Sequence, residues 1–191
     1  MSTTAEPLRL AEIFRFLAQA MRYPQASWFN DDFLCVYKEL LGQLGWREQQ
    51  ASLPAEMTDA ALEEVQVEYT RLFINGVPHV IAPPYASIYI DGTLNSVTAE
   101  KTREHYRKHG FDITTNEFPD YLVTELDFMA LREEEEEGAS EEFLRSYFRP
   151  WFAPFRDLVL KEGADPYIKS VVAVIDFFTR DETTADSEQA A

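Results

Sequence analysis

The chain has 191 residues, 46% apolar and 14% aromatic, enough to bury a sizeable core and too many for a disordered acidic tail. Seventeen Lys and Arg against 34 Asp and Glu give a net charge of −17, which repels phosphate backbones, excludes nucleic acid as a partner and favours a basic one. The single cysteine, Cys35, excludes an internal disulfide and a structural zinc site of the four-cysteine or two-cysteine, two-histidine kind, and suits a reducing compartment.

Helical spacing dominates the chain. Leu10, Ile13, Phe14, Leu17 and Met21 share a face, in a helix that Pro7 can start and Tyr23-Pro24 must end, because the residue before proline avoids the α region. Asp31 is placed to cap a second helix carrying Leu34, Tyr37, Leu41 and Leu44, with Gly45 past its end. Thr58 is placed to cap a third, through Leu62, Val65, Tyr69, Leu72 and Phe73, closed by Asn75-Gly76. From Val77 to Asn95 the periodicity fails; Pro83-Pro84 and an Asp91-Gly92 turn mark a long ordered loop. Helical signal returns from Val97 to His109, and Pro119-Asp120 opens a helix with Leu122, Leu126, Met129 and Ala130 inward that ends at Gly138. Ser140 is placed to cap the next, which the Arg149-to-Pro154 stretch interrupts, since proline removes a helical donor and clashes with the preceding turn. Asp165-Pro166 signals the start of a last helix through Tyr167, Val171, Val174, Ile175 and Phe178. The expectation is an all-α fold in two lobes, 1–76 and 96–180, joined by the Pro-rich loop 77–95 and followed by an acidic disordered tail, 181–191.

Much chemistry is missing. No glycine-rich phosphate loop, dinucleotide fingerprint or Gly-x-Ser-x-Gly elbow occurs, so no cofactor is expected and no catalytic residue is assigned. None of His79, His105 and His109 follows a Glu by three residues, as a di-iron bundle requires, and the His105/His109 pair lies among Arg103, Arg107 and Lys108, which oppose a metal. Glu133 to Glu137 spread around a helix axis and read as a solvated face. The start of the chain lacks a basic-then-apolar leader and no Arg-Arg pair occurs, which points to the cytoplasm. The uncharged Val77–Ile90 stretch is too short and too proline-broken to cross a bilayer.

Three stretches stand apart: Glu68-Tyr-Thr-Arg-Leu-Phe73, leading to Pro83-Pro-Tyr-Ala-Ser87 and Asp91; Phe118-Pro-Asp-Tyr-Leu-Val-Thr-Glu-Leu-Asp-Phe-Met129; and Phe143-Leu-Arg-Ser-Tyr-Phe-Arg-Pro-Trp-Phe-Ala-Pro-Phe155. In this order they resemble the TorD/DmsD/NarJ family of redox-enzyme maturation chaperones over roughly residues 8 to 180. The resemblance implies a two-lobed helical cytoplasmic protein without a catalytic site. Its partner would be an apo molybdoenzyme catalytic subunit of the DMSO-reductase type, often held by its twin-arginine signal peptide until the cofactor is inserted. Tyr121 stands where the family has His; a tyrosine still accepts and donates a hydrogen bond and stacks on arginine.

A twin-arginine peptide offers two cations and an apolar run, so its binder needs carboxylates beside an apolar groove. Asp91, Asp120 and Glu125 are placed to take the arginines, Leu72, Phe73, Pro84 and Tyr85 to floor the groove, Ser87 to hold the loop or bond peptide backbone, and Tyr121 to join them. Leu72 and Phe73 equally fit a core, Asp120 a helix N-cap, and Trp151 a joint between helices. The rival readings are an all-α acidic adaptor for another basic partner and, more distantly, a helical hydrolase or metalloenzyme. Monomer and domain-swapped dimer are both open.

Overall fold

The structure, a computed structural model, describes residues 9–77 and 79–181; the tail beyond residue 181 and the Pro7 start signal lie outside them. The fold is all-α, and the one strand-like feature among the described residues is an isolated antiparallel bridge between Tyr85 and Tyr121. Among the described residues ten α-helices follow one another: α1 Leu10–Ala20, α2 Asp31–Gln43, α3 Arg47–Ser52, α4 Asp59–Tyr69, α5 Ala86–Ile90, α6 Val97–Lys108, α7 Leu122–Glu135, α8 Glu141–Phe143, α9 Arg149–Glu162 and α10 Pro166–Thr179. Wider π turns extend α4 over Thr70–Ile74 and α8 over Leu144–Phe148.

The chain divides into two compact units, each made of two segments: residues up to Met21 with Tyr85–Trp151, and Arg22–Pro84 with Phe152 onward. This differs from contiguous lobes at 1–76 and 96–180. The reason lies in α1, whose apolar face finds its partner in α7, far along the sequence; Phe14, Leu17 and Ala18 of α1 and Leu122, Leu126 and Met129 of α7 are all fully buried. Periodicity shows that a helix has an apolar face, not which distant face it meets. The first unit is completed by an aromatic cluster in which Phe128 of α7 lies 4.3 Å from Tyr106 and 5.0 Å from Phe143, ring centre to ring centre. In the second unit, Tyr167 of α10 packs on Phe29 and Tyr37, and the Tyr37 hydroxyl donates to Ser170 Oγ at 2.8 Å.

Several end signals act as the sequence suggests. Thr58 Oγ1 accepts from Ala61 N–H at 3.2 Å, and Asp165 Oδ1 from Ile168 N–H at 3.0 Å, with Pro166 opening α10. Others shift. Asn30, not Asp31, caps α2, and Asp31 instead receives Met57 N–H at 2.6 Å. Ser140 caps nothing; its hydroxyl donates to Glu133 Oε1 at 2.5 Å, and the same carboxylate takes the Gly138 and Ser140 amides, so one member of the acidic run pins the α7–α8 turn. The 77–95 loop contains α5, and Gly92 in its Asp91-Gly92 turn adopts φ of 73°. The Arg149–Pro154 stretch stays helical: the π turn just before Pro150 opens the ladder where the proline N–H would be missed, and Pro154 sits inside α9.

Candidate functional site

In the first unit the Pro-Pro-Tyr-Ala-Ser loop and the Pro-Asp-Tyr turn meet. Ala86 N–H donates to the Asp120 carbonyl at 2.9 Å and Ser87 N–H to Asp120 Oδ2 at 2.8 Å, so Asp120 fastens the N-terminus of α5. Tyr121, the residue before α7, brings its ring to 5.2 Å from that of Tyr85 at a tilt of 30°, and Phe118 meets Tyr85 edge-on at 5.8 Å. Both tyrosines keep part of their surface in solvent. Burial first, then the charges of Tyr121, Glu117 and Asp120, pushes the Tyr85 phenol up to about 12. Ser87 is fully buried and its Oγ accepts from Asn95 N–H at 3.1 Å, which holds the loop.

Beneath this pair lies a buried acid that sequence reasoning placed at a rim. Glu125 is fully enclosed; its Oε2 accepts the Trp151 indole N–H at 2.9 Å and its Oε1 has no hydrogen-bond partner among the described residues. Burial, with the nearby Asp120 charge, raises this carboxyl well above the usual carboxylate range. Asp120 is also fully buried, with Oδ1 unpartnered. Neither carboxylate is therefore on display for an arginine: desolvating them demands internal donors, which the Ser87 amide and Trp151 supply. Asp91 is exposed, but its Oδ2 already takes the Ser96 hydroxyl at 2.5 Å and Thr98 N–H at 2.9 Å, serving the N-terminus of α6; those bonds, Ser96's first, hold its pKa below the usual value.

The other three nominated residues belong to the second unit. Leu72 is fully buried and Phe73 nearly so; Phe73 lies 4.8 Å edge-on to Tyr69 and 6.0 Å from Phe155, ring centre to ring centre, and Ala82 N–H donates to the Leu72 carbonyl at 2.8 Å. These side chains form core and do not floor an open groove. Pro84 is buried at the end of that unit's first segment.

What sequence reading missed is an open acidic groove in the second unit. It has a volume of about 590 Å³ and runs between α4 and the start of α10, lined by Ala60, Glu63, Glu64, Val67, Glu68 and Asp165, among others. Glu68 forks onto Arg71 at 2.6 and 2.9 Å and accepts Ala164 N–H at 2.6 Å, while Arg71 reaches the Glu162 carbonyl, so these two residues build the groove's end. Arg71's bond, outweighing burial, draws the Glu68 carboxyl below its usual range. Asp165, largely through burial and then through the charges of Glu68 and Glu64, is pushed above it. A sequence signal existed: Glu64 and Glu68 are four apart, as are Glu63 and Val67, on a helix whose spacing was read only for its apolar face.

The His105/His109 pair holds no metal-like cluster; among the described residues no group of three or more metal-ligating side chains converges. His105 lies buried against Phe128, Phe143 and Tyr147, and burial followed by the nearby His109 lowers its pKa. Among the described residues no helix is long and apolar enough to cross a membrane.

The fold is similar to a crystal structure of an Archaeoglobus fulgidus protein assigned to redox enzyme maturation, with a TM-score of 0.63 and 24% identity over 94% of this chain and 100% of that one; this likeness speaks for the fold. No curated protein sequence matches the chain. A family model, nitrate reductase delta subunit, matches residues 39–157, which include the Tyr85 and Tyr121 motifs. The chain belongs to this family of NarJ/TorD-type proteins, which are maturation chaperones of redox enzymes and not catalysts.

Proposed function

We propose that this chaperone binds the N-terminal leader of an apo molybdoenzyme catalytic subunit of the DMSO-reductase type, a twin-arginine signal peptide, and holds the subunit until its cofactor is inserted. The observation that carries the reading is the junction of Tyr85 with Tyr121 in a chain of this family. Two tilted phenol rings, each partly in solvent, offer a surface on which a guanidinium can lie, and the Tyr85 hydroxyl, pushed up to about 12, stays a neutral donor throughout the physiological range. Asp120, Ser87 and Glu125 act behind the surface: they fix the loop and the helix that present the rings, and none of them touches the peptide in this reading.

Charge assists the encounter. A protein of net charge −17 draws a basic leader toward itself, and salt near physiological strength screens that attraction beyond about 8 Å. The test is capture of the client from an anaerobically grown host by the tagged chain. A molybdoenzyme catalytic subunit bearing its leader is retained, a leaderless version is lost, and Tyr85→Ala with Tyr121→Ala weakens retention. Equal capture of the leaderless subunit overturns the proposal and favours an adaptor that reads another basic surface.

A further inference from the structure

The groove of the second unit is a feature that the Tyr85–Tyr121 reading leaves unused. Its walls carry four acids, and no set of basic side chains among the described residues pairs with all of them. Glu68 is matched by Arg71, whereas Glu63 and Glu64 are exposed and form no ion pair among the described residues. Asp165 is raised first by its burial, with smaller contributions from the Glu68 and Glu64 charges. Between the acids stands Val67, 62% exposed in mid-helix, where a polar side chain would cost nothing. A second concavity of about 380 Å³, lined in part by Tyr23, Gln66 and Asn75, flanks the same Glu63–Val67 ridge.

Chemistry narrows the occupant. An anion is repelled, and consecutive Glu63 and Glu64 diverge around the helix axis, so no single point suits a metal ion. A lone cation would leave Val67 unused. A lysine or arginine side chain matches both: its aliphatic stem covers the valine while its head reaches the carboxylates, and a neighbouring apolar residue fills the groove. The volume lies within the range of about 300–1,000 Å³ usual for ligand clefts.

We infer that the groove between α4 and the start of α10 is a docking site for a basic, apolar-flanked segment of the client polypeptide. The inference rests on the chaperone reading above but not on the Tyr85–Tyr121 surface. Holding the client at a second place converts weak leader binding into firm retention through effective concentration.

The experiment uses the full chain and a fluorescein-labelled peptide of alternating arginine and leucine, with a glutamine-for-arginine peptide as control. Fluorescence anisotropy reads affinity. The double variant Glu63→Gln/Glu64→Gln weakens binding about three- to tenfold, the range of two partly screened ion pairs. Val67→Ser weakens it by a further factor of about two, consistent with a lost aliphatic contact. Glu136→Gln/Glu137→Gln, with the same change in net charge on an exposed helix end, stays within about twofold of wild type. All five positions are exposed, so circular dichroism and melting temperature remain those of wild type. Equal weakening by both double variants, or none by either, overturns the inference. Failure of the chaperone reading is a separate result, seen when the wild-type chain does not distinguish leader-bearing from leaderless client.

Discussion

Replacing Glu125 by glutamine isolates what a buried, uncompensated acid does to this fold. In the folded chain its carboxyl is fully enclosed, accepts one hydrogen bond among the described residues, from Trp151, and has its pKa raised well above its ordinary value by burial and the Asp120 charge. In the unfolded chain it ionises near about 4.3. Above that value the native state holds a proton that the unfolded state has released, so stability falls as pH rises, at about 1.4 kcal/mol per pH unit, until the native carboxyl itself ionises. Glu125→Gln keeps an oxygen for the indole N–H and has no proton to lose. The stability difference, variant minus wild type, therefore grows as pH rises above that value, with a limiting slope of about 1.4 kcal/mol per pH unit. Glu68, lowered by Arg71, acts in the opposite direction and only below its ordinary value, outside this window. Asp165, raised, and His105, lowered, titrate alike in both proteins and cancel in the difference. Urea denaturation followed by far-ultraviolet circular dichroism at each pH measures the slope. A difference that stays flat to within about 0.3 kcal/mol per pH unit would mean that the native carboxyl is already ionised, and the reasoning from burial would fail.

Other substitutions separate core from surface. Leu72→Ala, at a fully buried position, destabilises by about 2–5 kcal/mol in denaturant melts; intact stability with lost client binding would return Leu72 to a groove. Glu68→Gln unmakes the Arg71 fork and weakens the acceptor for Ala164 N–H, costing about 1–2 kcal/mol, an amount limited because the Arg71 side chain is 39% exposed. Trp151→Phe leaves Glu125 Oε2 without its donor and costs about 1–3 kcal/mol for that bond, over and above any change in packing. Tyr37→Phe removes a buried bond to Ser170 and costs about 1 kcal/mol, read as a lower melting temperature.

The helices were legible because apolar spacing and end signals are local. Thr58 and Asp165-Pro166 mark starts that the structure keeps, since a side chain three residues ahead of an amide needs no tertiary help. The proline-rich α9 was not legible, because what preserves it is a π turn over Leu144–Phe148, and no residue type announces an extra residue in a helical turn. The division of the chain was also hidden: Phe14 and Leu17 show that α1 has a buried face, but their pairing with α7 is a non-local choice that only the assembled unit makes.

The candidate site shows the same split in sharper form. The motifs correctly brought Pro83-to-Ser87 and Pro119-to-Tyr121 together as a unit worth attention, yet they could not say which of their polar atoms face inward. An acid beside an apolar run reads identically whether it waits for a ligand or holds a loop. Asp120 and Glu125 resolve to the second case because each is enclosed and spends an oxygen on an internal donor, a backbone amide for one and an indole for the other. Those two belong to the first unit; the groove proposed in the second draws instead on acids that remain in water. Glu63 and Glu64 meet that condition, with the exposed Val67 beside them. Asp120 and Glu125 of these motifs thus shape the scaffold, and the charge proposed to meet a partner sits on a helix face with no motif to advertise it.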